Sequence, residues 1–194
     1  MIQINANLFA RVAVAQSTDP TRYYLQGVCI QPHPRGEGVT LTATDGHCLL
    51  TAHDPKADPA TLPAGGVIVN LGKDGLKAAR KGQTVTIDPA TGQARVDAAW
   101  ISPATTVVDG AFPDWRRLLP SESLTHTAAS FDPNLLQRLG KAMSETPKSP
   151  GALRLRAVDA SNAHLATIAN SLSIFGIVMP MWTPEGGDTL PAWL

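Results

Sequence analysis

An apolar residue followed at once by Asn or Asp recurs at Ile4-Asn5, Val69-Asn70 and Phe131-Asp132, at intervals of 65 and 62 residues. A side-chain oxygen at such a position accepts from the unpaired N–H groups of a first helical turn, so each pair marks a strand end and a helix start. A third interval of similar length runs from Phe131 to Leu194, which divides the chain into three units of one design. Capped helices between strands occur in any αβ protein; it is the equal spacing that argues for repetition.

The helices follow from the periodicity after each start. In the first, residues 7–16, Leu8, Phe9, Val12 and Ala15 make an apolar stripe and Arg11 is the one strong charge. In the second, 71–81, Lys73, Lys77, Arg80 and Lys81 share one stripe, with Gly75, Ala78 and Ala79 on the small apolar side. The third has Asp132 as cap and Pro133 at its first position; Leu135, Leu136, Leu139 and Met143 pack, while Asn134, Arg138 and Lys141 face away. Strands are expected at 2–4, 23–31, 38–44 and 47–53, then at 84–88, 93–98 and 100–108, then at 153–158, 164–169 and 174–181, separated by Gly/Pro/Asp-rich turns. Each unit therefore reads βαβββ, and the fold class is α+β.

With 194 residues the chain can bury a substantial core as one large or two small domains. Sixteen basic residues balance sixteen acidic ones, so only the distribution of charge carries information about a polyanionic partner. Cys29 and Cys48 lie in apolar runs, the setting of reduced buried thiols, which favours an intracellular, cytoplasmic protein. No apolar run approaches the roughly 20 residues of a membrane span, and no charged start with an apolar signal core opens the chain.

Chemistry-bearing residues are few. Asp45 and His47, with Thr44 or Cys48 as nucleophile, are packed into one tight turn, where an Asx turn explains Asp45 better than a catalytic relay does. His47 and His53 share a strand face without a third ligand, and His33, His126 and His164 are scattered; no metal site, cofactor or catalytic residue is expected. Phosphate-binding Gly-rich motifs are absent.

Four segments, in order, carry a resemblance: Thr21-Arg22-Tyr23-Tyr24-Leu25-Gln26-Gly27, Ala43-Thr44-Asp45-Gly46-His47, the stretch 109–120 (Asp-Gly-Ala-Phe-Pro-Asp-Trp-Arg-Arg-Leu-Leu-Pro) and Val178-Met179-Pro180-Met181. Through them the chain resembles the sliding clamp, or beta subunit, of bacterial DNA polymerase III. Residues 1–120 look like that family's middle domain, as two halves of about 1–63 and 64–120; 121–182 look like the second half of its last domain, and 183–194 form a tail. The resemblance implies a DNA clamp fold, no enzymatic activity, and a DNA processivity factor associated with the nucleoid. Such a factor encircles double-stranded DNA without reading sequence, with Arg11, Lys73, Lys77, Arg80, Lys81, Arg138 and Lys141 facing phosphates. It further implies a hydrophobic peptide cleft lined by Leu25, Thr44, Gly46, His47, Leu49, Pro113, Arg117, Leu118, Ile177, Val178, Met179, Pro180 and Met181, which collects short motifs of DNA polymerase or repair proteins. Cys48 and Trp182 depart from the family, which usually has Arg at both positions. A clamp loader is a further implied partner.

The alternative is a ring-less peptide-binding adaptor that kept the cleft. A family ring holds twelve halves and this chain three, so a homo-oligomer is expected, with a dimer as minimum and a tetramer as the closed ring. The third half, without a partner half in its own chain, would expose a sheet edge and an apolar helix face to a second copy. The tail ends Leu190-Pro191-Ala192-Trp193-Leu194, apolar enough to compete for the cleft.

Overall fold

The computed structural model describes residues 1–97, 105–120, 123–126, 128–144, 151–169, 171 and 173–182. Among them, eleven strands make one antiparallel sheet with three α-helices packed on one face. The first unit contributes β1 (Ile2–Asn5), α1 (Ala6–Val12), β2 (Val28–Pro32), β3 (Val39–Thr44) and β4 (Cys48–Asp54). The second contributes β5 (Val67–Asn70), α2 (Gly72–Ala79), β6 (Thr84–Asp88), β7 (Gln93–Val96) and β8 (Thr105–Val108). The third contributes α3 (Pro133–Met143), β9 (Leu153–Arg156), β10 (His164–Ile168) and β11 (Ile174–Val178). Its leading strand is reduced to a single bridge between Ser130 and Met181.

Side chains cap α1 and α3, whereas the N-cap of α2 is Leu71, which has no side-chain cap bond, and Asn70 acts one residue earlier. Asn5 Oδ1 accepts from Leu8 N at 3.0 Å and Asp132 Oδ1 from Asn134 N at 2.8 Å; Asn70 Oδ1 takes Gly72 N at 2.8 Å. Several elements differ from expectation: the strands expected over 93–98, 153–158 and 174–181 end early, at Val96, Arg156 and Val178, and two differ in kind. The strand over 23–31 begins only at Val28, because Asp19 accepts from Thr21 N and Pro20 opens a 3₁₀ turn through Leu25. The aromatic pair Tyr23-Tyr24, strand-like by propensity, is overruled by that start signal. The helix over 7–16 is α only to Val12 and tightens to 3₁₀ over Ala13–Ala15. Of the strand expected over 100–108, residues 100–104 lie outside the described residues.

The strand order is β1-β6-β7-β8-β5-β2-β3-β4-β11-β10-β9. β1 of the first unit pairs with β6 of the second, and β5 of the second with β2 of the first. This exchange means neither unit completes a sheet alone. The third unit joins by β11 on β4, and α3 lies beside α1. One apolar cluster runs beneath all three helices, including Phe9, Leu41, Leu50, Leu71, Leu139, Met143 and Ile174. The contact at Gly176 is close: a Cβ there would stand 2.9 Å from Leu139 Cδ2 and 3.1 Å from Leu49 O, so α3 rests on the backbone of β11.

The apolar face of α3 is therefore not left open as the half-unit count suggests. Leu135, Leu139, Ala142 and Met143 are buried within the chain, against β10, β11 and the α1 region. Burying side chains of this size stabilises by about 1.5 to 3 kcal/mol each, enough to hold the third unit on the first. Among the described residues the sheet ends at β1 on one side and at β9 on the other, and just past β9 Thr125 bridges Ala157.

Candidate nucleic-acid and peptide interfaces

The helix face comes first. α1 lies between α2 and α3, and the three meet around a cavity of about 370 Å³ lined by Arg11, Arg80, Arg138 and Lys141 together with Asn7, Ala10, Val14, Gln137 and Ala142. Helix C-termini leave carbonyl oxygens unpaired and favour cations. Two arginines exploit this reciprocally. Arg11 of α1 donates to Ala142 O at 2.7 Å and Met143 O at 2.8 Å, the end of α3. Arg138 of α3 donates to Val14 O at 2.9 Å, in the 3₁₀ turn that ends the first helix. Arg80, Lys81 and Lys141 are exposed. Lys73 is exposed at the start of α2, and Lys77 forms a solvent-exposed pair with Asp74 at 3.1 Å, a contact of little energetic weight. Of the seven basic candidates the structure thus gathers four, and two of those four bind the helices to each other.

The cleft candidates converge where β4 meets β11. Cys48 pairs with Val178 and Leu49 with Ile177; Met179 N then donates to His47 O at 2.9 Å, joining the two lips. Strand alternation sends Cys48, Leu50 and Val178 toward the helices, and Leu49 and Ile177 to the opposite face under Trp115, Phe112 and Phe175. Trp115 opens a short 3₁₀ turn through Leu118. Arg116 stacks on its ring at 4.7 Å and donates to Gln31 Oε1 at 2.9 Å, stapling the segment to the sheet. Neighbouring Arg117 is exposed and bonds Asp114 at 3.0 Å.

Of the cleft candidates, Gly46, His47, Pro113, Arg117, Leu118, Met179 and Met181 are exposed, and Thr44 and Pro180 are half-buried. Leu25, Leu49, Ile177 and Val178 are at most 4% exposed and serve as floor or core. Met179 and Met181 stay exposed at 37% and 54%, which leaves both thioethers available to a ligand. Tyr23, Arg22 and Trp115 belong to the same surroundings and were absent from the sequence-derived set. Arg22 approaches Asp45 O at 3.4 Å, and Gly110 sits against Tyr23 and Tyr24. The repeated Tyr was a signal, but it read as strand.

The turn between β3 and β4 is held by two side chains. Asp45 Oδ1 accepts from His47 N and Cys48 N, each at 2.9 Å. Thr44 Oγ1 donates to Cys48 O at 2.7 Å and accepts from Gly46 N at 3.1 Å, while Gly46 takes a left-handed φ of 92° that favours glycine. Burial opposes ionisation of Asp45, but hydrogen bonds from the Cys48 and His47 amides and from Arg138 outweigh it, holding its carboxyl below the usual value. Burial, followed by the Asp45 charge, pushes the Cys48 thiol up to about 12, and burial does the same at Cys29. Cys48 Sγ does approach Asp45 Oδ2, at 3.9 Å, but that oxygen also accepts from Arg138 at 2.8 Å and the thiol is held protonated, so the contact is a buried hydrogen bond and not an activated thiolate. His53 stacks on His33 at 4.2 Å and bonds Glu37 O at 2.9 Å. Among the described residues no cluster of three or more His, Cys, Asp or Glu is placed to hold a metal.

Residues 3–114 match the family model described as DNA polymerase III beta subunit, central domain. The chain belongs to that family. The Beta sliding clamp of Caulobacter vibrioides is 33% identical over 124 residues, covering 60% of this chain and 32% of that protein. Among solved structures, Caulobacter crescentus pol III beta superposes with a TM-score of 0.64 at 20% identity, covering 94% of this chain and 66% of that one. A sliding clamp from Bartonella birtlesii gives 0.62 at 17% identity, with the same coverages. The chain therefore spans about a third of the curated relative it matches. The family match ends before α3, whereas the likeness of fold covers 94% of the chain. No helix among the described residues is long and apolar enough to cross a membrane.

Proposed function

We propose that this protein is a sliding-clamp-type processivity factor. Its helix face holds duplex DNA without reading sequence, and its β4–β11 junction tethers a polymerase or repair protein through a short apolar peptide. The observation that supports the reading is the pairing of β4 with β11, in which Met179 N donates to His47 O and so sets the exposed Met179 beside the Thr44–His47 turn, with Met181 and Leu118 also exposed, in a chain of the clamp family. Flexible thioethers and a polar turn suit a short peptide. Arg80, Lys81, Lys141 and Lys73 supply screened phosphate contacts on the helix side.

A clamp holds DNA by topology, and three half-units per chain make four chains the ring of family size. The open edge of β9 offers an antiparallel contact for a second copy. Retention on nicked circular DNA that disappears on linearisation supports encirclement, and Arg80→Glu with Lys141→Glu should reduce retention and flatten its salt dependence. Equal retention on circular and linear DNA would overturn it.

A second reading, a ring-less adaptor, draws on Arg11 and Arg138, whose guanidinium groups bind helix ends instead of facing an open channel. Light-scattering mass separates the two: a monomer at micromolar concentration that still captures peptide supports the adaptor.

A further inference from the structure

We infer that Arg138 is the positioning residue of the cleft turn Thr44–His47, acting through Asp45, and not a contact to nucleic acid. The inference rests on the peptide-cleft reading above and deepens it. Arg138 Nη1 donates to Asp45 Oδ2 at 2.8 Å while Nη2 donates to Val14 O at 2.9 Å, so one planar fork spans α3, the end of the first helix and the turn. The opposite oxygen of Asp45 holds the His47 and Cys48 amides. The carboxylate is thus gripped from both sides, with Asp45 17% and Arg138 33% exposed at the side chain.

Both ends of this strut are anchored. α3 cannot slide, because Leu139 rests on Gly176 and Arg11 ties its C-terminus to α1. The turn leads directly to a lip, because His47 O accepts from Met179 N. Arg138 also lines two cavities: the basic one among the helices, and one of about 460 Å³ beside the turn, lined by Gln16, Ser17, Asp19, Arg22 and His47 among others. Gly46, at φ 92°, adds no side chain of its own to fix the turn. Shortening Arg138 leaves Asp45 Oδ2 without its charged donor. The turn is then held on one side only.

Lys at 138 keeps the charge but has no fork to bridge a carboxylate and a carbonyl at once. The test uses the full-length protein, with a short synthetic peptide ending in Leu-Phe as probe. Arg138→Gln should weaken capture about tenfold, Arg138→Lys should recover only part, and Asp45→Asn should weaken it to a similar degree with little further loss in the double variant. Amide exchange at His47 and Cys48 should quicken in each variant, while the salt slope of DNA retention stays as in the wild type. Should the wild type fail to capture the peptide, the cleft reading falls, and the exchange rates still decide the role of Arg138. Unchanged exchange or additive losses would overturn the inference, and a reduced salt slope would make Arg138 a phosphate contact instead.

Discussion

Leu139→Ala asks whether the third unit is part of one cooperative body or an appendage. Leu139 is fully buried at the centre of α3, in the same cluster as Phe9 and Leu50 of the first unit. Its Cδ2 lies over Gly176, whose backbone belongs to a strand paired on both sides, with β4 and with β10. A rigid floor of this kind collapses little, so the loss combines the transfer energy of the removed methyl groups with a persisting cavity. For Leu→Ala in cores the range is about 2 to 5 kcal/mol, and the lack of relaxation places this site near 3 to 5 kcal/mol. For a chain of this size each kcal/mol shifts Tm by about 2 to 4 °C, which gives a drop on the order of 10 °C. Urea unfolding followed by far-ultraviolet dichroism and by tryptophan fluorescence measures it. Measured in a background with Trp100, Trp182 and Trp193 replaced by Phe, fluorescence comes from Trp115, which packs against both Leu49 and Phe175 and so reports the junction of the first and third units. Both probes should move together to lower urea in one transition. A shift under 1 kcal/mol, or a split in which the helix signal falls early and the Trp115 signal stays put, would refute the shared core.

Acid should weaken the fold through Asp45. Because its folded carboxyl sits below the ordinary value, its contribution is present above that ordinary value and lost as pH falls through the folded one. Asp45→Asn should therefore flatten the difference in urea stability between neutral and strongly acidic pH, and a parallel pH profile would contradict this. Native Cys29 and Cys48, with thiols pushed up to about 12, should resist alkylation at pH 8 and react only after denaturation; rapid native labelling would show the burial to be wrong. Met179→Ala and Leu118→Ala should each weaken capture of an apolar peptide about tenfold while changing stability by no more than about 0.5 kcal/mol, as exposed rim positions do. Calorimetry that shows unchanged affinity would move the site. The tail 183–194 lies outside the described residues, and the tether 183–189 can reach about 23 Å at roughly 3.3 Å per residue. Deleting 188–194 should raise peptide affinity if the tail competes for a cleft, and equal affinity in a folded truncation would dismiss it.

The sequence alone determined what depends on neighbours within a turn. Asn5, Asn70 and Asp132 each bond an amide two or three residues ahead, and the apolar periods of α1 and α3 follow at once, so the repeat and the helices were legible. The family was legible through four short segments, each read within itself. What the chain could not disclose is which groups meet from afar. Arg11 finds Ala142 O across 131 residues, and Arg138 finds Val14 O across 124 and Asp45 across 93. Two of those partners are backbone carbonyls, which every residue carries, so no residue type announces them. On a helical stripe both arginines look like solvated cations, and only the crossing of α1 with α3 turns them inward. The exchange of β1 and β5 between the first two units is likewise set by completing a sheet around a common core, not by any local preference. The docking of β11 on β4 has the same origin: it buries the apolar face of α3, and no short-range signal in either strand specifies the other.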